Sequence, residues 1–252
     1  MTLSQCCRVA SMALVALALS PSGSFTGQAD EATETGRLLA IMLDAGRVTI
    51  AKNQDLINDP TKADKGFTPE VFEKQLAEEF RQRTGLILGD IQQDQIPAMA
   101  KSLLERLLEE SKKTIASHQL VINIPGVRYK GLIPATFGTE TAGRFQNWSG
   151  VYLKQTAPQS LIRNPKNAPD PYEAEAFSRL ASTSSKSPDS TVLSEVVDDG
   201  RTVRVLLPLF YGKACLTCHG EPKGERDMSG YPREGAKEGD LGGAISVKIP
   251  LK

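Results

Sequence analysis

Histidine, aromatic residues and cysteine are all scarce in this 252-residue chain. It has two histidines and four cysteines, and aromatic residues make up only 6% of the sequence. Neither sign of charge is in excess, with 30 basic and 30 acidic residues. The charge balance argues against a nucleic-acid partner or an anionic membrane surface. The low aromatic content predicts an aliphatic core.

Long apolar runs are also lacking, apart from one near the N-terminus. Residues 9–19 are mostly apolar, Arg8 precedes them, and small residues follow. This order is typical of a secretory signal peptide, which we predict over residues 1–29 with cleavage near Ala29. The run is too short to span a bilayer, so we expect a soluble protein in the periplasm or otherwise outside the cytoplasm. An uncleaved segment that anchors the chain is the alternative.

The predicted mature chain keeps only two of the four cysteines, because Cys6 and Cys7 precede the apolar run. Cys215 and Cys218 belong to the segment Cys215-Leu-Thr-Cys218-His219. Cys-x-x-Cys-His is the attachment sequence of a c-type haem. The two thiols form thioether bonds to the porphyrin, and the histidine ligates the iron. The motif therefore predicts one covalent haem c, bound through Cys215 and Cys218, with His219 as an iron ligand.

Other interpretations of the cysteine pair stay open. A thioredoxin-like pair belongs at the N-terminus of a helix, but Gly220 and Pro222 follow the motif, so we expect no long helix there. A zinc site needs about four ligands and an iron–sulfur cluster roughly four thiolates, which the predicted mature chain supplies poorly. A disulfide would close a small, strained ring. We favour haem c over all of these.

The chain contains an internal repeat with an ungapped offset of 65 positions. Leu38–Leu88 aligns with Leu103–Leu153, and 18 of the 51 pairs are identical. Chance would give about three or four identities, so the similarity indicates a duplication. Each copy is predicted to form an amphipathic helix, a turn, a second helix that starts at a proline, and a short strand.

The pattern changes after the second copy. Proline-rich turns are followed by a short helix, a polar loop and two strands joined at Asp199-Gly200, which is a hairpin turn signal. A glycine-rich loop after the motif leads to a final strand over 244–249. The predicted fold class is α+β, with N-terminal helical repeat units before a small antiparallel sheet. We predict three regions: the signal peptide over 1–29, the first repeat copy over 30–97, and a haem c domain with the second copy over 98–252.

The C-terminal part resembles a family of single-haem c-type domains with a PAS-like sheet. The segments that carry the resemblance are Lys130–Phe137, Arg163–Asp170 with Glu173, Ala214–Gly220 and Gly242–Val247. Members of that family occur alone or as the extracytoplasmic sensors of histidine kinases and related receptors. The resemblance covers roughly residues 114–252 and implies a PAS-like sheet that carries the haem. We expect a standalone member.

The sixth ligand of the iron is less well marked than His219. His118 is the other histidine, and the first copy has Asn53 at the equivalent position. We predict that His118 approaches the iron from the face opposite His219. Methionines 42, 99 and 228, another ligand or an open position are the alternatives.

Arg163 is a candidate contact for a haem propionate, because its planar guanidinium suits a carboxylate. The alternative is that Arg163 and Asp170 brace only their own turn.

Three functions are compatible with these residues. The first is a monohaem cytochrome that exchanges electrons with a partner protein, for which the sequence carries no signature. The second is a haem sensor that responds to redox state or to a small gas. The third is an enzyme such as a peroxidase, which would need an open distal face and an acid–base residue. We favour electron transfer, then sensing, and expect no catalytic activity.

Overall fold

The protein has an α+β fold, as the sequence predicts. The computed structural model describes residues 27–90, 95–181 and 192–251, so the predicted signal peptide lies almost entirely outside the described residues and the polar loop over 182–190 wholly outside them. Within these ranges the helices are α1 (Gln28–Lys52), α2 (Gln54–Ile57), α3 (Pro69–Thr84), α4 (Ala100–Ile122), α5 (Pro134–Ser149), α6 (Pro171–Ala181) and α7 (Leu216–His219). The strands are β1 (Tyr152–Thr156), β2 (Leu193–Val197), β3 (Thr202–Phe210) and β4 (Leu241–Pro250). None of these helices combines the length and apolar character needed to cross a bilayer.

The helices repeat as the sequence predicts. The second helices of the two copies, α3 and α5, begin at Pro69 and Pro134 and end at Thr84 and Ser149. Both ends are therefore displaced by the same 65 positions. Proline suits the first turn of a helix because its nitrogen needs no intrahelical acceptor. Both helices end at a glycine with a positive φ, 76° at Gly85 and 70° at Gly150. A left-handed residue is the usual end of a helix, and glycine adopts it without steric cost.

The two copies also exchange equivalent hydrogen bonds. Gln54 of the first copy donates to the carbonyl of Leu132 in the second, at 2.9 Å. Gln119 of the second copy donates to the carbonyl of Phe67 in the first, at 2.7 Å. Gln54 and Gln119, like Phe67 and Leu132, occupy matching positions of the repeat. The copies therefore face each other through a local twofold relation.

A second reciprocal pair supports the same relation. The backbone N–H of Lys65 donates to Asn123 at 3.2 Å, and the backbone N–H of Lys130 donates to Asn58 at 3.0 Å. Each bond joins an asparagine of one copy to the Lys-Gly turn of the other. The turns that link the two helices of each copy are therefore held by the opposite copy.

The copies differ where each second helix ends. The second copy continues into β1 as predicted, but residues 85–87 of the first copy are irregular and 88–90 form a turn, so the strand predicted at Leu86–Leu88 is wrong. A strand needs a hydrogen-bonding partner, and β1 finds one in β4. Leu86 and Leu88 instead pack on the core, while Ile87 is 57% exposed.

The four strands form one antiparallel sheet in the order β1-β4-β3-β2. The turn between β2 and β3 places Asp198, Asp199 and Gly200 at positive φ, which confirms the predicted hairpin. The prediction that the motif lies between the last two strands is also confirmed, because α7 follows β3 and precedes β4. The central strands β3 and β4 deliver the motif and receive the chain after it.

One face of the sheet packs against α1 at very short range. A side-chain carbon at Gly36 would lie 2.7 Å from Val205 Cγ2, so the helix approaches β3 more closely than any other residue allows. The buried core that forms around this contact is continuous and includes Leu39, Leu104 and Phe137 as well as Val205. It therefore joins the region predicted as 30–97 to the region predicted as 98–252.

The other face of the sheet carries α6 and a buried charge network. Glu173 is fully buried, and its carboxylate pairs with Lys154 at 2.6 Å and Arg204 at 3.4 Å. The hydroxyl of Tyr152 donates to it at 3.1 Å. Asp170 caps the start of α6 through the N–H of Glu173 and also pairs with Arg204. These contacts give Glu173 and Asp170 structural roles beneath the sheet.

Candidate functional site

The Cys-x-x-Cys-His motif forms a single tight turn at the end of β3. A short 3-10 turn ends at Cys215, and α7 occupies the four residues Leu216–His219. Residues three and four apart share a face of a helix, so Cys218 and His219 both lie on the side of Cys215. The prediction that no long helix follows the motif is confirmed. The turn is closed at Gly220, where a side-chain carbon would lie 2.7 Å from the Leu216 carbonyl oxygen.

Both cysteines of the motif carry free, partly exposed thiols. Burial and the nearby Asp227 carboxylate raise the pKa of the Cys218 thiol above its ordinary value. Cys218 is therefore a neutral thiol near pH 7. Within the described ranges, no group of three or more His, Cys, Asp or Glu side chains is arranged to hold a metal ion, which gives the zinc interpretation no support.

The two ring nitrogens of His219 have different surroundings. Nδ1 lies 2.9 Å from Glu234 Oε2, and the ring of Tyr211 stacks on the imidazole with centroids 4.8 Å apart. Nε2 has no hydrogen-bond partner among the described residues. Burial, and then Arg163, lower the pKa of His219 despite the opposing effect of Glu234. The neutral imidazole thus donates from Nδ1 and keeps a lone pair on Nε2.

Arg163 links the Arg-Asn-Pro segment to the motif. Its guanidinium donates to Asp227 at 2.6 Å, to Glu234 at 2.9 and 3.1 Å, and to the backbone carbonyl of Cys218 at 3.0 Å. Arg163 therefore reaches well beyond its own turn and lies at the site, whereas Asp170 belongs to the network under α6. Binding of a haem propionate by Arg163 stays a prediction.

Asp227 and Glu234 are site residues that the sequence reasoning missed. The side chain of Asp227 is fully buried, and hydrogen bonds from Ser229 and Arg163 lower its pKa, although burial acts in the opposite direction. Burial also acts to raise the pKa of Glu234, but bonds from Arg163 and His219 lower it. Both residues are therefore anionic at neutral pH. Nothing in their local sequence separates them from the exposed acids of the same loop.

His118 lies on α4 and is paired within its own repeat copy. Its Nε2 lies 2.9 Å from Glu140 Oε2 on α5. At the matching positions of the first copy, Asn53 donates to Gln75 at 2.6 Å. The repeat thus gives His118 a helix-to-helix contact of its own, and its role as an iron ligand stays a prediction.

The three methionines named as alternatives lie in different surroundings. Met42 is fully buried in the core, whereas Met99 is 38% exposed before α4 and Met228 is 43% exposed in the loop after the motif. Tyr129, between α4 and α5, is near the motif, since burial and then the charges of Asp227 and Cys218 raise its pKa. The connection between α4 and α5 therefore lies beside the motif loop.

These features define an α+β protein with a duplicated helical unit and a Cys-x-x-Cys-His turn buttressed by an arginine and two carboxylates. A family model described as Tll0287-like matches residues 27–250, and the chain belongs to this family. Among solved structures, it is similar to the crystal structure of the cyanobacterial heme-protein Tll0287, with 17% identity and a TM-score of 0.42. That similarity covers 62% of this chain and 94% of the other. No curated protein matches the chain.

Proposed function

We propose that this protein binds one haem c through Cys215 and Cys218, with His219 as an iron ligand, and exchanges electrons with a partner protein. The observation that carries the proposal is the single turn that holds two free thiols beside a histidine with an available Nε2. This donor set fits a c-type haem. The family supports it as well, because Tll0287 is described as a heme-protein.

The cysteines and the histidine of the turn have different roles in binding the haem. In haem attachment, each thiol would add its sulfur and its hydrogen across one vinyl group, so that no atom would leave and no oxidant would be needed. The imidazole of His219 offers Nε2 to the iron while Glu234 holds Nδ1. The bound iron would supply a one-electron redox centre.

Electron transfer is supported by the place of the motif on the surface. Cys215, Cys218 and His219 are all partly exposed, and Thr217 between the cysteines is exposed. A redox group attached here would lie close to the surface, where a partner can approach it. We also propose that the protein acts outside the cytoplasm, as the predicted signal peptide requires, in the compartment where bacterial haem c is attached.

A haem-based sensor of redox state or of a small gas is the alternative, in keeping with the resemblance to PAS-like sensor domains. Two observations favour it: His118 is already paired with Glu140, and Met42 is buried in the core. An iron without a sixth protein ligand would be open to a gas. The alternative therefore depends on the coordination number of the iron.

Coexpression with a haem c maturation system tests the proposal. The full chain with its own N-terminus should yield coloured protein that keeps its haem after acid–acetone extraction. Cys215→Ser/Cys218→Ser is the control and should lose all covalent haem. Extractable haem, or none, in the wild type would contradict the proposal. Carbon monoxide then separates the alternatives, since fast binding to reduced protein indicates an open iron and a sensor.

A further inference from the structure

Hydrogen bonds from both side chains and backbone fix the surroundings of His219 Nδ1. Glu234 Oε2 accepts from Nδ1 at 2.9 Å, and both oxygens of Glu234 also accept from Arg163. Two residues later, the N–H of Ala236 donates to the carbonyl of His219 at 2.8 Å. The carboxylate and the histidine are therefore fixed to each other through both side chain and backbone.

Tyr211 completes the support from the other side. Its ring stacks on the imidazole at an interplanar angle of 28°, and its hydroxyl lies 3.4 Å from Nδ1. The ring of His219 thus has one face covered and one nitrogen engaged. Only Nε2 remains for a ligand.

We propose that Glu234 is the positioning residue of the iron ligand: it holds His219 in the Nδ1-protonated tautomer and lowers the reduction potential of the bound haem. The inference rests on the proposed function, since it concerns the haem attached at Cys215 and Cys218. A carboxylate that accepts from the second nitrogen of a ligating histidine fixes the tautomer and raises the basicity of the ligand. A more basic ligand stabilises ferric iron over ferrous iron, and axial ligation is a main determinant of haem potential.

Arg163 sets the strength of this effect. Its guanidinium shares the Glu234 carboxylate with His219 and so withdraws part of the negative charge. Asp227 binds the same guanidinium at 2.6 Å but has no hydrogen bond to His219. Asp227 is therefore a matched control: its removal changes the charge around Arg163 and leaves the Glu234–His219 contact in place.

The first measurement is the midpoint potential of Glu234→Gln, Glu234→Asp and Asp227→Asn at equal haem content. Glu234→Gln should raise the equilibrium constant for reduction at least tenfold, which is about 59 mV for one electron. Glu234→Asp keeps the charge and should recover most of the wild-type value. Asp227→Asn should shift the potential by less than half as much as Glu234→Gln. Equal shifts in Glu234→Gln and Asp227→Asn, or none in Glu234→Gln, would overturn the proposal.

The second measurement uses haem-free protein and so separates this inference from the proposed function. The chain has two histidines. With a histidine-free tag, the His118→Asn variant therefore leaves His219 as the single source of imidazole ¹⁵N signals. Nitrogen chemical shifts should show the Nδ1-protonated tautomer, and Glu234→Ala in the same background should give a tautomer mixture. The Nε2-protonated tautomer in wild type would overturn the inference even if haem attaches. If haem fails to attach but the tautomer changes as expected, the proposed function and the effect on the reduction potential are overturned. The role of Glu234 in orienting His219 then still holds.

Discussion

Arg163 is the residue on which the electrostatics of the site depend. It is the cation between the Asp227 and Glu234 carboxylates, and it reaches the Cys218 carbonyl from a segment that lies 55 positions earlier. Fork-shaped guanidinium contacts of this kind are strong and directional. The loop after the motif is therefore tied to the Arg-Asn-Pro segment by charge as much as by backbone contacts.

Asp227→Asn should make the stability of the protein less dependent on acid pH. The folded-state pKa of Asp227 lies below its ordinary value, so its contribution is present above about pH 4 and is lost as the pH falls further. Urea unfolding at pH 7 and at pH 3 measures this, and near pH 3 the variant should take up fewer protons on unfolding than the wild type. Glu225→Gln removes an exposed carboxylate from the same loop and is the matched control. Wild-type pH dependence in Asp227→Asn would contradict the prediction.

His118→Asn tests the predicted distal ligand without disturbing the repeat. Asparagine is the residue at the matching position of the first copy, where it bonds to Gln75, so it can retain a bond to Glu140. If His118 ligates the iron, as the sequence predicts, the variant should change a low-spin absorption spectrum to high-spin and bind carbon monoxide faster. An unchanged spectrum would leave Met228 or an open position.

The residues of the site were predictable to different degrees. The two cysteines and the histidine form a contiguous motif, so their spacing alone predicts them. Glu234 and Asp227 meet Arg163 across 71 and 64 positions, and such contacts depend on how the loop folds back. The residues next to a carboxylate in a polar loop do not indicate that it makes such a contact.

Among the helices and strands, the ends of helices could be predicted from local sequence better than the presence of a strand. The ends of α3 and α5 could be predicted because proline and glycine act within one turn of where they stand. The strand expected at Leu86–Leu88 failed because its apolar pattern is equally compatible with packing on a core. Which of the two occurs is decided by a partner strand, and both edges of β4 are already taken by β1 and β3.

The contact between α1 and the sheet gives a test at this scale. Gly36→Ala should lower the free energy of unfolding by about 1–3 kcal/mol, because the new methyl group would overlap Val205. Gly143→Ala in α5 is the control, since open space surrounds that position, and it should be neutral or stabilising by about 0.5–1 kcal/mol. Urea titrations monitored by circular dichroism compare the two. Equal stabilities would mean that the helix shifts freely over the sheet.

The reciprocal bonds of the two copies predict equal energetic roles. Gln54→Ala and Gln119→Ala each leave a carbonyl of the opposite copy without its donor, which should cost about 1 kcal/mol. Gln82→Ala removes an exposed glutamine that bonds to Glu78 within α3 and should cost less than about 0.5 kcal/mol. A large loss in one variant and none in its counterpart would show that the twofold relation is geometric only.

At the scale of the whole molecule, one continuous core underlies both predicted regions. Leu39 from the first region packs in the same cluster as Phe137 and Val205 from the second. Elements that share a core lose their burial together, so we expect a single unfolding transition. Far-ultraviolet circular dichroism and the fluorescence of Trp148, the only tryptophan, should give the same urea midpoint. Two resolved midpoints would instead support independent units divided near residue 97.

The exchange of equivalent contacts between the copies has the form of an isologous interface, in which a patch meets its own counterpart. Two identical separate chains with this face would bury it by forming a closed dimer. Here the linkage keeps the second half at high effective concentration, so no second molecule is needed to cover the face. The halves are also free to differ, because only one of them must lead into the sheet and the motif. The first copy thus acts as a built-in second subunit that completes the fold around a site that it does not itself carry.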